Sequence, residues 1–166
     1  MANRRHRNLT LGRFRPLLPV LVGIAVAGSV ASLILHTLAI FATPLWGFLS
    51  FAMVPGVFVV WFPAILEMQR LNRDPSGKPL FRANWSRVLR GAPRSICIVA
   101  GCVATYVALT SAWALLRGPD AGESGWPGGN LPCWISIVPL TFYLVASLTL
   151  ISGMRVPPES EEREAG

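Results

Sequence analysis

Charge is what this sequence has least of. Only 14% of its 166 residues are Asp, Glu, Lys or Arg, against about a quarter in an ordinary soluble domain. Lysine occurs once, at Lys78. Histidine occurs twice, at His6 and His36, and tyrosine twice, at Tyr106 and Tyr143. The three cysteines, Cys97, Cys102 and Cys133, form no CxxC or CxxxC pair. That spacing excludes a paired-thiol redox centre and a close-pair zinc site. The cysteines read as small packing residues. Two histidines so far apart do not supply the paired axial ligands of a four-helix haem protein. HExxH, GxSxG and Walker-type glycine motifs are missing too. No catalytic, cofactor-binding or metal-ligating set is assigned. The one arrangement left for chemistry is a pocket gathering His36, Tyr106 and Tyr143.

The charges that do occur are crowded together. Four apolar runs, at 16–41, 45–66, 95–116 and 134–152, contain no Asp, Glu, Lys or Arg at all. Each is close to the roughly 20 residues that cross a hydrocarbon core. A soluble core has no need of such segregation, whereas a bilayer imposes it, because a mid-membrane charge is costly. A transmembrane barrel would instead show short alternating segments. The absence of a carboxylate from every run also removes the proton carrier that a small four-helix exporter uses. The fold class expected is all-α: a polytopic membrane protein whose four transmembrane helices form two antiparallel hairpins. A basic segment (1–15) precedes the helical domain (16–153), and an acidic, proline-broken tail (154–166) reads as disordered. The first run continues well past the small residues Ala25 to Ala27, further than a secretory h-region does. It reads as an uncleaved anchor despite its basic start.

Orientation follows from the flanking positive charge. Fourteen of the fifteen Lys and Arg residues fall on the side of the two termini and the 67–94 loop. Arg117 alone falls in the opposite links. Both termini and the 67–94 loop are therefore expected in the cytoplasm, and the Gly/Pro-rich 117–133 link outside. Arginine dominates the basic residues, and Ala, Gly and Pro are plentiful, which suggests a GC-rich bacterial genome. Trp46, Trp61, Trp113, Trp126 and Trp134 sit at or near run ends or in the outer link, as an interfacial belt requires.

The basic loop mixes arginine with aromatics, which raises the question of nucleic acid. Tethered between two spans, it offers no groove-reading module. It reads instead as a short amphipathic helix in the headgroup layer. Phe81, Trp85, Val88 and Leu89 would face lipid, while Arg82, Arg87, Arg90 and Arg94 meet anionic headgroups. Each such arginine contributes about 1 kcal/mol.

Within the spans, small residues mark where helices approach. Gly23, Ala27 and Ala31 form one ridge, with Gly28 and Ser32 alongside. Ala100, Ala104, Ala108 and Ala112 form another. The first and third spans are expected to meet through these ridges, or one ridge serves a second protomer. Pro55–Gly56 near the centre of the second span and Pro139 in the fourth remove backbone donors, so kinks are expected there. His36 reads as an interfacial polar residue. Glu67 and Arg70 read as a solvated helix end.

The stretch "VFVVWFPAIL" (57–66), followed by a basic loop and "WSRVLRGAP" (85–93), resembles a group of small bacterial four-helix inner-membrane proteins of unassigned function. The Phe142–Tyr143 pair in the last span adds to the likeness. The resemblance implies a bacterial inner-membrane setting and carries no catalytic residue. The functional expectation is a non-enzymatic interaction or accessory subunit whose partners are the bilayer and a membrane protein or a second copy. The alternative is a small-solute transporter or channel component with its pathway near Pro55–Gly56.

The orientation has a direct test. A maleimide that cannot cross the membrane should label Ser76→Cys in inverted vesicles and leave it unlabelled in intact cells. Labelling in intact cells reverses the topology.

Overall fold

The computed structural model describes residues 15–41, 45–72, 85–116 and 131–156. The basic start, the 73–84 part of the loop with Phe81 and Arg82, most of the 117–133 link and the end of the tail lie outside the described residues. The elements in chain order are a 3-10 turn (Arg15–Leu17) leading into α1 (Leu18–Phe41); α2 (Leu45–Leu49); a 3-10 stretch (Ser50–Met53); α3 (Val54–Leu71); α4 (Trp85–Val88); α5 (Arg94–Leu116); and α6 (Leu131–Arg155). The described residues hold no strand. Four spans are long and apolar enough to cross a membrane: α1, the continuous α2–α3 unit, α5 and α6.

The second span changes its hydrogen bonding one turn before its proline. Pro55 has no N–H to offer the carbonyl of Phe51, its normal helical acceptor. The Val54 N–H bonds to that carbonyl instead, and the chain tightens into the 3-10 stretch Ser50–Met53. Pro55 then stands in the first turn of α3, where a missing donor costs little. Pro63 inside α3 and Pro139 inside α6 are carried within continuous helix.

α6 is the central helix. In its apolar window 56% of residues are buried, against 11% for α5. It packs most extensively on α1, next on α3, and only lightly on α5. The buried stripe of α1 is Leu18, Leu21, Ala25, Gly28, Ser32, His36 and Ala39, a three-and-four spacing that keeps one face toward a neighbour. The core joins this stripe to Val57, Val60 and Ala64 of α3 and to Tyr143, Ala146 and Leu150 of α6. Trp61 and Phe142 meet edge to face at 4.7 Å beside it. Outward faces carry Val30, Phe58, Phe62, Ile98 and Leu109. In water such a surface would drive association; in a bilayer it is the solvent face.

Tyr143 organises this core. It is 2% exposed; its ring lies against Gly28 of α1 and its hydroxyl against Gly56 of α3. A Cβ built on either glycine would overlap the tyrosine. Its hydroxyl donates to the Met53 carbonyl at 2.9 Å, at the junction of the 3-10 stretch and α3. One side chain thereby holds three helices.

The packing corrects two expectations. The first and third spans do not meet along their small-residue ridges. Gly23 and Ala27 are exposed, Ala31 is half-buried, and an added Cβ on Gly23 meets nothing within 4 Å. The face in use, Gly28 and Ser32, lies one residue on, about 100° round the helix, and turns to α6. On α5 only Ala100 is buried, while Ala104, Ala108 and Ala112 are exposed. The second correction concerns the loop helix. Among the described residues it is the turn Trp85–Val88, where Val88 is fully buried rather than lipid-facing.

Candidate functional site

Two polar clusters lie near opposite ends of the bundle. The first centres on His36. The α1 stripe delivers the imidazole to the interior, where it is fully buried. Its Nδ1 lies 2.7 Å from Ser136 Oγ of α6, and its Nε2 lies 3.0 Å from Thr110 Oγ1 of α5. A neutral imidazole has one donor and one acceptor nitrogen, and each hydroxyl can play either role. The ring is therefore satisfied on both sides. Thr110 also donates within its own helix, to the Tyr106 or Val107 carbonyl.

Tyr106 stands edge-on to the imidazole, with centroids 6.1 Å apart. Its hydroxyl lies 2.9 Å from Thr37 Oγ1, which itself donates to the Leu33 carbonyl. His36 and Thr37 thus form the polar joint between α1 and α5. The expectation of an interfacial histidine is corrected here. His36 is an interior link among three helices.

Toward the basic end, the hydroxyls of Ser29 and Ser147 lie 3.2 Å apart across α1 and α6. Each hydroxyl also lies within bonding distance of the carbonyl four residues earlier, so one of the two donates across the pair while the other donates within its own helix. Ser32, between these seryl groups and His36, has the one buried side-chain polar atom without a partner among the described residues. Tyr143 contacts α1 at Gly28, eight residues from His36, or about 12 Å along the axis. His36 and Tyr106 are neighbours, but Tyr143 belongs to a different contact. The three do not converge on one pocket.

The second cluster closes the basic end. Arg70 Nε donates to Glu67 Oε2 at 2.7 Å, and both side chains are 9% exposed. The guanidinium Nη2 also donates to the Gly153 carbonyl at 3.0 Å and the Val156 carbonyl at 3.1 Å. These are oxygens that the C-terminal end of α6 leaves without helical partners. Gly153 gives the carboxylate room, since a Cβ there would meet Glu67 Oε2 at 2.7 Å. The Gly91 N–H donates to Ser152 Oγ at 3.1 Å, which ties the turn after α4 to the same end of α6. A solvated helix end was the expectation for Glu67 and Arg70, and burial overturns it. The reason is that α6 continues to Arg155, so its last carbonyls reach the guanidinium. An (i, i+3) acid–base pair followed by apolar Leu71 was the available sequence signal.

Among the other sequence-derived site residues, Trp85, Arg90 and Arg94 are exposed at the basic end of α5. Arg82 and the Arg87 side chain lie outside the described residues. Gly56 is covered by Tyr143, and Pro139 is fully buried. Cys97 and Cys102 are free thiols. No group of His, Cys, Asp and Glu suited to a metal ion occurs among the described residues. A groove of about 490 Å³ runs between α5 and α6 and reaches Trp85 and Leu89. No family model, curated protein or solved structure matches the chain.

The buried pair makes a specific prediction. Arg70→Met should destabilise the bundle by about 3–5 kcal/mol, because it strands a buried carboxylate. Adding Glu67→Gln should recover much of that loss. Unfolding in mixed micelles measures both, and an Arg70→Met variant as stable as the parent contradicts the assignment.

Proposed function

We propose that this chain is a non-enzymatic interaction or accessory subunit of a bacterial inner-membrane assembly. In this reading both termini and the basic end face the cytoplasm. One observation carries it. The side chains best equipped to act on a solute are engaged in joining helices, while the small-residue face of α1 is left outside the fold. His36 bonds to α5 and α6, Tyr143 to the α3 junction, and Arg70 to Glu67 and the end of α6.

Gly23 and Ala27 are exposed at four-residue spacing, between Val20, Ile24 and Val30. In lipid, a small-residue ridge lets another helix approach closely, which favours helix association through packing. A transmembrane helix of a partner subunit is the occupant this face fits. The positive-inside charge distribution supports the orientation, and the resemblance of 57–66 and 85–93 to small bacterial inner-membrane proteins supports the setting. A transport pathway near Pro55–Gly56 has less support, because Tyr143 fills the space beside Gly56.

Crosslinking in native membranes, followed by purification, tests the proposal. A defined membrane-protein partner should crosslink to the parent chain and be lost from Gly23→Leu, with the unfolding midpoint of that variant unchanged. Solute flux in liposomes from the purified chain, abolished by Pro55→Ala, would overturn the accessory role in favour of transport.

A further inference from the structure

We propose that the groove between α5 and α6 is a binding site for one anionic phospholipid, with an acyl chain along the groove and the headgroup at Arg94. The site is separate from the α1 face discussed above and does not depend on that reading.

The groove floor is built from residues with little or no side chain. Ala100, Gly101 and Ala104 lie along α5, Leu144 and Leu148 of α6 form a wall, and Trp85 stands at the basic end. The lining is overwhelmingly apolar, so the chemistry it offers is that of a hydrocarbon chain. The lining on α5 extends from Cys97 to Ala108, eleven residues or about 16 Å of helix rise. That matches the roughly 15 Å depth of one leaflet's hydrocarbon layer. A floor of Ala and Gly lets the chain approach the α5 backbone closely, the same device that small residues give to helix pairs.

The basic end of the groove supplies the headgroup chemistry. Cys97, Gly101, Ala104 and Ala108 follow one another at helical spacing, and Arg94 lies one turn before Cys97 on the same stripe. Arg94 is exposed and is the first residue of α5, so its charge adds to the positive end of a 23-residue helix dipole. Arg90 is exposed just before it. Burial of Val88 and the bond from the Gly91 N–H to Ser152 fix the turn that carries them. Trp85 is 45% exposed, an indole at the groove end where an interfacial ring contacts both chain and headgroup. An arginine pair and a helix N-terminus above an apolar slot select a phospholipid of net negative charge over a zwitterionic phospholipid, and the slot selects a lipid over free phosphate.

Native mass spectrometry of the full chain in detergent tests this with three probes: phosphatidylglycerol, phosphatidylcholine with the same acyl chains, and inorganic phosphate. Phosphatidylglycerol should be retained as a single adduct in preference to phosphatidylcholine, and phosphate should give none. Gly101→Leu places a side chain in the groove from a position where a Cβ meets nothing within 4 Å. It should lower the bound fraction about tenfold. Gly23→Leu, equally open but on α1 and outside the groove lining, should bind as the parent does. Arg94→Gln should keep an adduct and lose the preference between the two lipids. Ala104→Leu repeats the blocking test if Gly101→Leu unfolds. Equal retention of both lipids by the parent, a phosphate adduct, or undiminished phosphatidylglycerol binding in the groove-filling variants overturns the proposal.

Discussion

The rest of the bundle depends on how the Tyr143 ring is seated. The ring fits against α1 because Gly28 presents no side chain, and Gly56 of α3 leaves the room its hydroxyl end needs. The ring brings α1 and α3 against α6 at one level. Its hydroxyl then takes the Met53 carbonyl, where the backbone passes from 3-10 to α-helical hydrogen bonding. Pro55 is part of the same arrangement. By denying Phe51 its usual donor, it creates the tightened turn that the tyrosine braces. Aliphatic packing by Val57, Val60, Ala64, Ala146 and Leu150 completes the contact.

Lipid changes how such a contact is stabilised. Without the hydrophobic effect to drive helices together, close packing and hydrogen bonds between helices must do so, each bond contributing only about 0.6 kcal/mol on average. The chain spreads its polar side chains along α6 accordingly. Ser136 meets His36 near one end, Ser147 meets Ser29 further along, and the last carbonyls meet Arg70 at the other end. α5 shares little of this. It is joined to α1 by His36 and Thr37, and its lighter packing on α6 leaves the groove that ends at Trp85. The interaction surfaces proposed above are those the tyrosine-centred packing leaves unused.

Much of this architecture was legible in the sequence, because a bilayer writes its demands as long uncharged runs. The four spans and the helical class follow from 16–41, 45–66, 95–116 and 134–152 alone. The choice of face on α1 was not legible. Gly23, Ala27 and Ala31 offer as good a ridge as Gly28 and Ser32, and nothing local distinguishes them. What decides is a tyrosine more than a hundred residues away that needs a glycine opposite it. The partner of Tyr143 was not legible either, because it is a backbone carbonyl at a proline-induced turn, which no side-chain pattern announces. Glu67 and Arg70 misled for a related reason. Their burial requires α6 to run three residues past the apolar stretch that marks it in the sequence.

The central claim is that Tyr143 holds the bundle by occupying the space at Gly28 and Gly56. The most direct measurement is unfolding in mixed micelles of Gly28→Ala against Gly23→Ala, each with Tyr143 and with Tyr143→Ala. One methyl group at Gly28 should cost about 1–3 kcal/mol by overpacking, the same methyl at Gly23 should cost nothing, and the penalty at Gly28 should vanish once the ring is removed. Equal effects at the two glycines, or a Gly28 penalty that persists without the ring, would contradict the account.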